Sequence, residues 1–309
     1  MEVVDKRGFE TGFRLFASLV KGQKFMGTLK TFAPEIGVLT MMKRGVNVFM
    51  PAAEAGFKTV QMQNWDMSLL NSEMVKQVKQ DLKSSGIRLA AFWAGYSGRI
   101  VWDFRSGPGT CGVVPREQRS QRVAELKKGA EFAAEIGAPA VITHCGFIPE
   151  NPADPLYGET LSAIWDVASH CRSLGIGFWF ETGQETPVTL LRTIEDLHLP
   201  NLGINLDTAN LILYGKGNPV DALDVFGPYV RNLHVKDGVF PVNGKFLGKE
   251  VPVGEGRADF PEIIRKLHDL NFDGEMIIER EISGEQQAVD IRNAATCLKE
   301  ILKNYTNLN

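Results

Sequence analysis

Cysteine and histidine are scarce in this chain of 309 residues, which has four of the first and five of the second. Cys111, Cys145, Cys171 and Cys297 are scattered and include no CxxC pair, and a chain of this length does not need disulfides to hold a small core together. We therefore expect reduced thiols and a cytoplasmic protein.

Long apolar runs and an excess of charge are also missing. No segment approaches the roughly 18 consecutive apolar residues of a membrane-spanning helix, and the N-terminal MEVVDKRGFETGFRLF lacks the apolar core of a signal peptide. A net charge of -3 gives no electrostatic reason to expect nucleic acid or an anionic membrane as a partner. With 44% hydrophobic and 23% charged residues, the chain has the composition of an ordinary globular protein.

What is present is a regular alternation of strand-length apolar runs and helical patterns. Eight such pairs predict an α/β protein, a (β/α)₈ TIM barrel, as a single domain over residues 34–309. We expect residues 1–33 to be an N-terminal extension that packs on the barrel. Two connections, residues 97–116 and 238–259, are long enough to predict walls or lids over a site. The predicted strands cover residues 36–42, 58–65, 87–96, 140–146, 177–182, 202–207, 230–237 and 274–280, and the last helix covers 285–303.

Four of these strands end in a residue that can bind a metal ion. GFWFE ends at Glu181, GINLD at Asp207, RNLH at His234 and EMIIE at Glu279. Because the C-terminal ends of barrel strands form one rim, we predict that these side chains meet at a single site. Three carboxylates and one imidazole suit Mn²⁺, Mg²⁺ or Co²⁺ better than an ion that prefers thiolates.

Five short motifs lie at or near these strand ends: ETGQET at 181–186, LDTAN at 206–210, HVKDG at 234–238, VGEG at 253–256 and IIERE at 278–282. As an ordered set they resemble the sugar phosphate isomerase/epimerase family of xylose-isomerase-like TIM barrels, over about residues 35–303. The resemblance implies that Glu181, Asp207, His234 and Glu279 hold a divalent metal, with Mn²⁺ favoured and Mg²⁺, Co²⁺ or Zn²⁺ as alternatives. It also implies that Glu181 and Glu279 are the catalytic acid/base pair, and that the protein forms a homodimer or homotetramer.

Such a site supports proton transfer next to a carbonyl, through a metal-stabilised enediolate. We therefore expect an isomerase or epimerase acting on a small sugar or polyol. A keto-polyol dehydratase on the same metal and a non-catalytic sugar-binding barrel are the alternatives. The endonuclease branch of the family needs more histidines than this chain has, since none precedes His144 and Asn210 stands where that branch has another.

Five further residues are predicted to bind substrate: Trp93, His144, Glu185, Asn210 and Lys236. Each has a structural alternative. His144 could instead hold Glu181, Glu185 could cap the helix that begins at Pro187, and Lys236 could form a buried salt bridge. The arginines in the loops are dispersed and form no phosphate-binding cluster, which favours an unphosphorylated substrate.

Overall fold

Eight parallel strands close into a barrel in the computed structural model, which describes residues 32–306. The barrel strands are β1 (Ile36–Met41), β2 (Thr59–Asn64), β3 (Arg88–Ala94), β4 (Ala140–Thr143), β5 (Gly177–Glu181), β6 (Leu202–Asp207), β7 (Val230–Val235) and β10 (Glu275–Ile278). They pair in sequence order, and β10 closes the barrel between β7 and β1. Two further strands, β8 (Asp237–Val239) and β9 (Lys249–Val251), form a separate antiparallel pair. The predicted TIM barrel is confirmed.

Helices alternate with the strands along the chain. Polar side chains begin several of them: Asn71 accepts a hydrogen bond from the backbone N–H of Met74, and Asn218 accepts one from the N–H of Asp221. The helices are α1 (Met50–Glu54), α2 (Ser72–Ser85), α3 (Arg116–Ile136), α4 (Pro155–Ser173), α5 (Pro187–Leu197), α6 (Asn210–Leu213), α7 (Pro219–Phe226), α8 (Phe260–Asp269) and α9 (Glu285–Thr306).

The strands that carry the predicted ligands are buried on both faces, as parallel barrel strands are. All six residues of β6 are buried, and β5 and β10 expose little. The register places Asp207 beside His234 on the neighbouring strand, and Ile277 of β10 lies on the other side of His234. The register thus aligns the ends of β6, β7 and β10 at one rim.

The structure departs from the sequence prediction around the rim. Residues 238–259 contain the β8–β9 pair, so this connection is not a structureless loop. β7 ends at Val235, and Lys236 separates it from β8, whereas the sequence predicted one strand to residue 237. β4 ends at Thr143, which places His144 in the loop that follows.

The predicted N-terminal extension lies outside the described residues up to residue 31. Each of the four cysteines is a free thiol. Over the described part of the chain, no helix combines the length and the apolar character needed to cross a membrane.

Candidate metal centre and substrate cavity

Four side chains converge at the C-terminal rim of the barrel. Glu181 ends β5, Asp207 ends β6, His234 lies in β7 and Glu279 directly follows β10. One ligand atom from each lies within 4.8 Å of the others. Three of these side chains are buried, and Glu279 is 12% exposed. The structure therefore brings together the four residues that the strand-end pattern singled out.

His234 is at the centre of this group. Its Nδ1 lies 3.1 Å from Glu181 Oε1, 3.1 Å from Glu279 Oε2 and 3.9 Å from Asp207 Oδ2. Burial disfavours the imidazolium, but the carboxylates of Glu181 and Glu279 outweigh it and raise the pKa of His234 well above its usual value. A proton on Nδ1 and a divalent cation thus compete for the same carboxylates.

The opposite nitrogen of His234 is held by a residue of β2. Gln61 Oε1 lies 2.6 Å from His234 Nε2, and Gln61 is fully buried. Since a carbonyl oxygen can only accept, Nε2 carries the proton and donates it to Gln61. In the neutral ring this leaves the Nδ1 lone pair directed at the carboxylates, which is the orientation that a metal-binding histidine needs.

The donor set fits a divalent cation. Asp207 Oδ1 accepts the backbone N–H groups of Ala209 and Asn210, both at 2.8 Å. The other oxygen, Asp207 Oδ2, and Glu279 Oε2 are buried and make no hydrogen bond of standard geometry among the described residues, although both lie 3.5 Å from Lys236 Nζ and Glu279 Oε2 lies 3.1 Å from His234 Nδ1. A divalent cation between these oxygens would satisfy them more fully than the present ion pairs do.

Lys236 neutralises part of the charge of these carboxylates. Its Nζ lies 2.6 Å from Glu281 Oε1, and 3.5 Å from both Asp207 Oδ2 and Glu279 Oε2. The side chain is 1% exposed, and Nζ also donates to Asn210 Oδ1 at 3.3 Å. The structure thus places Lys236 in a buried ion-pair network, one of the two alternatives that the sequence left open.

A cavity of about 390 Å³ opens beside the four ligands. Among the residues predicted to bind substrate, Trp93, His144 and Asn210 line it, whereas Glu185 and Lys236 do not. Trp93 donates its Nε1–H to Glu181 Oε2, and His144 Nε2 lies 3.6 Å from Glu181 Oε1. The full lining is Leu39, Gln63, Trp65, Trp93, Trp102, His144, Glu181, Gln184, Asn210, Leu213, Tyr214, Leu247, Glu279 and Glu281.

Several of these residues carry no sequence signal of their own. Trp65 and Trp102 line the cavity, although the sequence favoured a pocket role for Trp93 alone. Gln61 and Gln63 were missed as well. The signal that could have found them is the alternation in β2, TVQMQN, which places the two glutamines on one face of a buried strand.

Glu185 is buried, is not among the residues that line the cavity, and does not cap α5. The cap of α5 is Thr186, whose side chain accepts the backbone N–H of Thr189. Burial raises the pKa of Glu185 to about 8. At neutral pH it is therefore largely a neutral acid next to the cavity wall.

The long loop over residues 97–116 is fixed by one buried arginine. Arg122 of α3 is fully buried and donates to four backbone carbonyls of this loop, those of Ser97, Arg99, Thr110 and Gly112. Its guanidinium also lies 4.5 Å from the centroid of the Tyr96 ring. The clamped loop carries Trp102, whose ring lies 5.1 Å from that of His144.

The second long connection is fixed by a carboxylate. Asp237 accepts the backbone N–H groups of Gly238, Gly254, Gly256 and Ala258 at 2.8–3.0 Å. The N–H groups of the Gly254–Gly256 turn are thus used within the protein.

The other three histidines lie apart from this cavity. His170 contacts Glu131 at 3.2 Å, His198 ends α5, and His268 packs between the rings of Phe32 and Tyr305. These three histidines occupy surface or packing positions.

Comparison with known proteins identifies the family. Residues 49–301 match the family described as xylose isomerase-like TIM barrel. The chain belongs to this family. A xylose isomerase domain protein from Planctomyces limnophilus is 36% identical, with a TM-score of 0.83 over 88% of this chain and 99% of that one.

More distant structures share the xylose isomerase-like fold. A D-tagatose 3-epimerase-like protein is 19% identical, with a TM-score of 0.70 over 88% of this chain and 98% of its own. A magnesium complex from Mycobacterium smegmatis is 18% identical, with a TM-score of 0.66 over 89% and 98%. An uncharacterized protein of Methanocaldococcus jannaschii is 27% identical over 203 residues, 62% of this chain, and the chain covers 64% of its length.

Proposed function

We propose that this protein is a divalent-metal-dependent isomerase or epimerase that moves a proton next to the carbonyl of a small ketose or related polyol. The observation that carries the proposal is the meeting of Glu181, Asp207, His234 and Glu279 within 4.8 Å, with Glu181 and Glu279 facing the cavity. The structures described as D-tagatose 3-epimerase-like and as a magnesium complex support the class and the type of cofactor.

Glu181, Asp207, His234 and Glu279 would hold the cation, for which we favour Mn²⁺. A bound divalent cation supplies Lewis acidity to the carbonyl, worth several kcal/mol in the transition state. Asp207 Oδ2 and Glu279 Oε2, which make no hydrogen bond among the described residues, are the ligand atoms available for it.

Glu181 and Glu279 exchange the proton with the substrate. Both line the cavity, and both approach the same nitrogen of His234, so a sugar bound there lies within reach of two carboxylates. One removes the proton from carbon and the other returns it, each step contributing about 10² to 10⁴-fold. Return to the same carbon gives epimerisation, and return to the adjacent carbon gives isomerisation.

Two neighbours hold Glu181 in place for this work. Trp93 donates to Glu181 Oε2, and His144 lies 3.6 Å from Glu181 Oε1. Each oxygen of the Glu181 carboxylate therefore has a neighbour that restricts its motion, which keeps the carboxylate close to the reacting carbon. Trp65 and Trp102 complete an aromatic wall suited to the apolar face of a sugar.

The test is solvent deuterium incorporation into a panel of ketoses, aldoses and keto-inositols, with Mn²⁺ added and the product mass recorded. We expect the wild type to incorporate deuterium at one carbon. Apart from the deuterium, the product should have the same mass as the substrate. Glu181→Gln and Glu279→Gln are expected to lose more than nine-tenths of this rate. Glu135→Gln, on the exposed side of α3, is the matched control and is expected to retain it. A product lighter than the substrate by one water would assign the dehydratase reaction instead. Deuterium exchange at the wild-type rate by Glu181→Gln or Glu279→Gln would refute the acid/base roles.

A further inference from the structure

Gln184 stands out among the residues that line the cavity. It is 1% exposed, and neither its Oε1 nor its Nε2 makes a hydrogen bond of standard geometry in the part of the chain that the structure describes, although the amide lies close enough to the Tyr214 side chain to interact with it. A buried amide left unpaired costs about 1–3 kcal/mol. Such a group is retained where a bound molecule completes its hydrogen bonds.

The loop that carries Gln184 is held against the site. Gly183 packs so closely that a Cβ there would lie 3.2 Å from Asn210 Cβ, 3.6 Å from His144 Cε1 and 3.7 Å from Tyr214 Cδ2. These three residues line the same cavity. The amide is therefore positioned by packing three residues beyond Glu181, before any substrate arrives.

The charges of the cavity restrict what can bind there. Its lining includes Glu181, Glu279 and Glu281, and no lysine or arginine is among the described side chains that line it. The nearest ammonium, that of Lys236, is already paired with Glu281 at 2.6 Å. Apart from the cation of the proposed metal centre, the described lining offers a phosphate dianion no positive charge, so placing that dianion beside three carboxyl groups is unfavourable.

We propose that Gln184 is a specificity residue that binds two neighbouring hydroxyl groups of an uncharged sugar, and that the cavity excludes sugar phosphates. The amide oxygen accepts a hydrogen bond from one hydroxyl and the amide N–H donates to the next, a pairing that suits a neutral diol. This inference rests on the proposed function, because it concerns the substrate of the same metal centre.

The experiment uses the full chain loaded with Mn²⁺. Binding is followed by quenching of tryptophan fluorescence, since Trp65, Trp93 and Trp102 line the cavity. D-tagatose, D-psicose, D-fructose and L-ribulose are compared with D-fructose 6-phosphate and L-ribulose 5-phosphate, and deuterium exchange is measured with each. We expect at least one free ketose to bind tenfold or more tightly than either phosphate.

Gln184→Leu tests the residue itself. We expect its KM for the free ketose to rise at least tenfold while kcat stays within threefold and the Kd for Mn²⁺ is unchanged. Gln80→Leu, at an exposed position of α2, is the matched control and should match the wild type. The unchanged Mn²⁺ affinity also shows that the variant is folded around its metal site.

The outcomes separate this inference from the proposed function. Deuterium exchange with the phosphates, at equal or higher efficiency than with the free sugars, would overturn the inference and leave the proposed function standing. An unchanged KM in Gln184→Leu would overturn the role of Gln184. Failure of every sugar to bind or exchange would refute both.

Discussion

The hydrogen bond between Gln61 and His234 offers a direct test of how the metal centre is prepared. Gln61 Oε1 fixes the proton of His234 on Nε2 at 2.6 Å, and its own Nε2 is unpaired among the described residues, so the acceptor is its main polar role. In Gln61→Leu the buried Nε2–H loses its acceptor, at a cost of about 1–3 kcal/mol. When the ring is neutral, its single proton then favours Nδ1, where Glu181 and Glu279 accept it and where a metal would otherwise bind.

A tenfold change in a binding constant corresponds to about 1.4 kcal/mol, so we expect the Kd for Mn²⁺ to rise about 10 to 100-fold, the range typical of residues that support metal ligands. Titration calorimetry at constant pH measures it. Gln63→Leu is the control, because Gln63 lies two residues further along β2 and bonds to Trp65 rather than to a ligand. A Kd for Gln61→Leu within threefold of the wild type would refute this account of the tautomer.

Three further predictions concern groups around the cavity. Glu185 has a pKa of about 8 in the fold and so binds its proton more tightly when folded, which means that the unfolding free energy should fall as pH rises from about 4.5 to 8. Urea titrations at pH 5 and 8 measure this fall, and Glu185→Gln should remove most of it. An equal fall in the wild type and in the variant would contradict the prediction. Arg122→Met leaves four backbone carbonyls of the 97–116 loop without their donor and should lower the unfolding free energy by about 3 kcal/mol or more. The KM should also rise, because Trp102 is released with the loop. An unchanged unfolding free energy would contradict the role of Arg122 in holding this loop. Asp237→Asn replaces one acceptor oxygen by an NH₂ donor that faces two backbone N–H groups. We expect it to lower the unfolding free energy by about 2 kcal/mol or more and to expose residues 249–256 to limited proteolysis. Protease resistance equal to that of the wild type would contradict this.

The barrel was predictable because its signal repeats. Each βα unit combines a short apolar run with a helical pattern and often a stop such as Gly86 or Gly137, so an error in one unit does not change the count. The rim was less predictable. HVKDG follows β7 without a turn signal before Gly238, but β8 pairs with residues of β9 that lie 10 to 14 positions away in sequence, which periodicity cannot reveal.

The metal ligands were predictable for a different reason. A carboxylate or imidazole at the end of a buried strand is conspicuous, because an unpaired charge is unfavourable there and barrel topology requires strand ends to meet. Gln61 and Gln184 are just as buried, yet a neutral amide carries no charge and its burial cannot be read from the sequence. Their importance appears only when hydrogen bonds are assigned: Gln61 bonds to His234, and Gln184 makes no hydrogen bond of standard geometry among the described residues.

Lys236 shows how far spacing alone can go. Its place two residues after His234 predicts correctly that both side chains point to the same side of the chain. Spacing cannot decide between substrate binding and charge compensation, since that depends on how many carboxylates share the ammonium. The structure gives three within 3.5 Å, and Glu281, the nearest at 2.6 Å, lies outside the predicted ligand set. Because three acids already surround this one ammonium group, the structure favours charge compensation over substrate binding for Lys236.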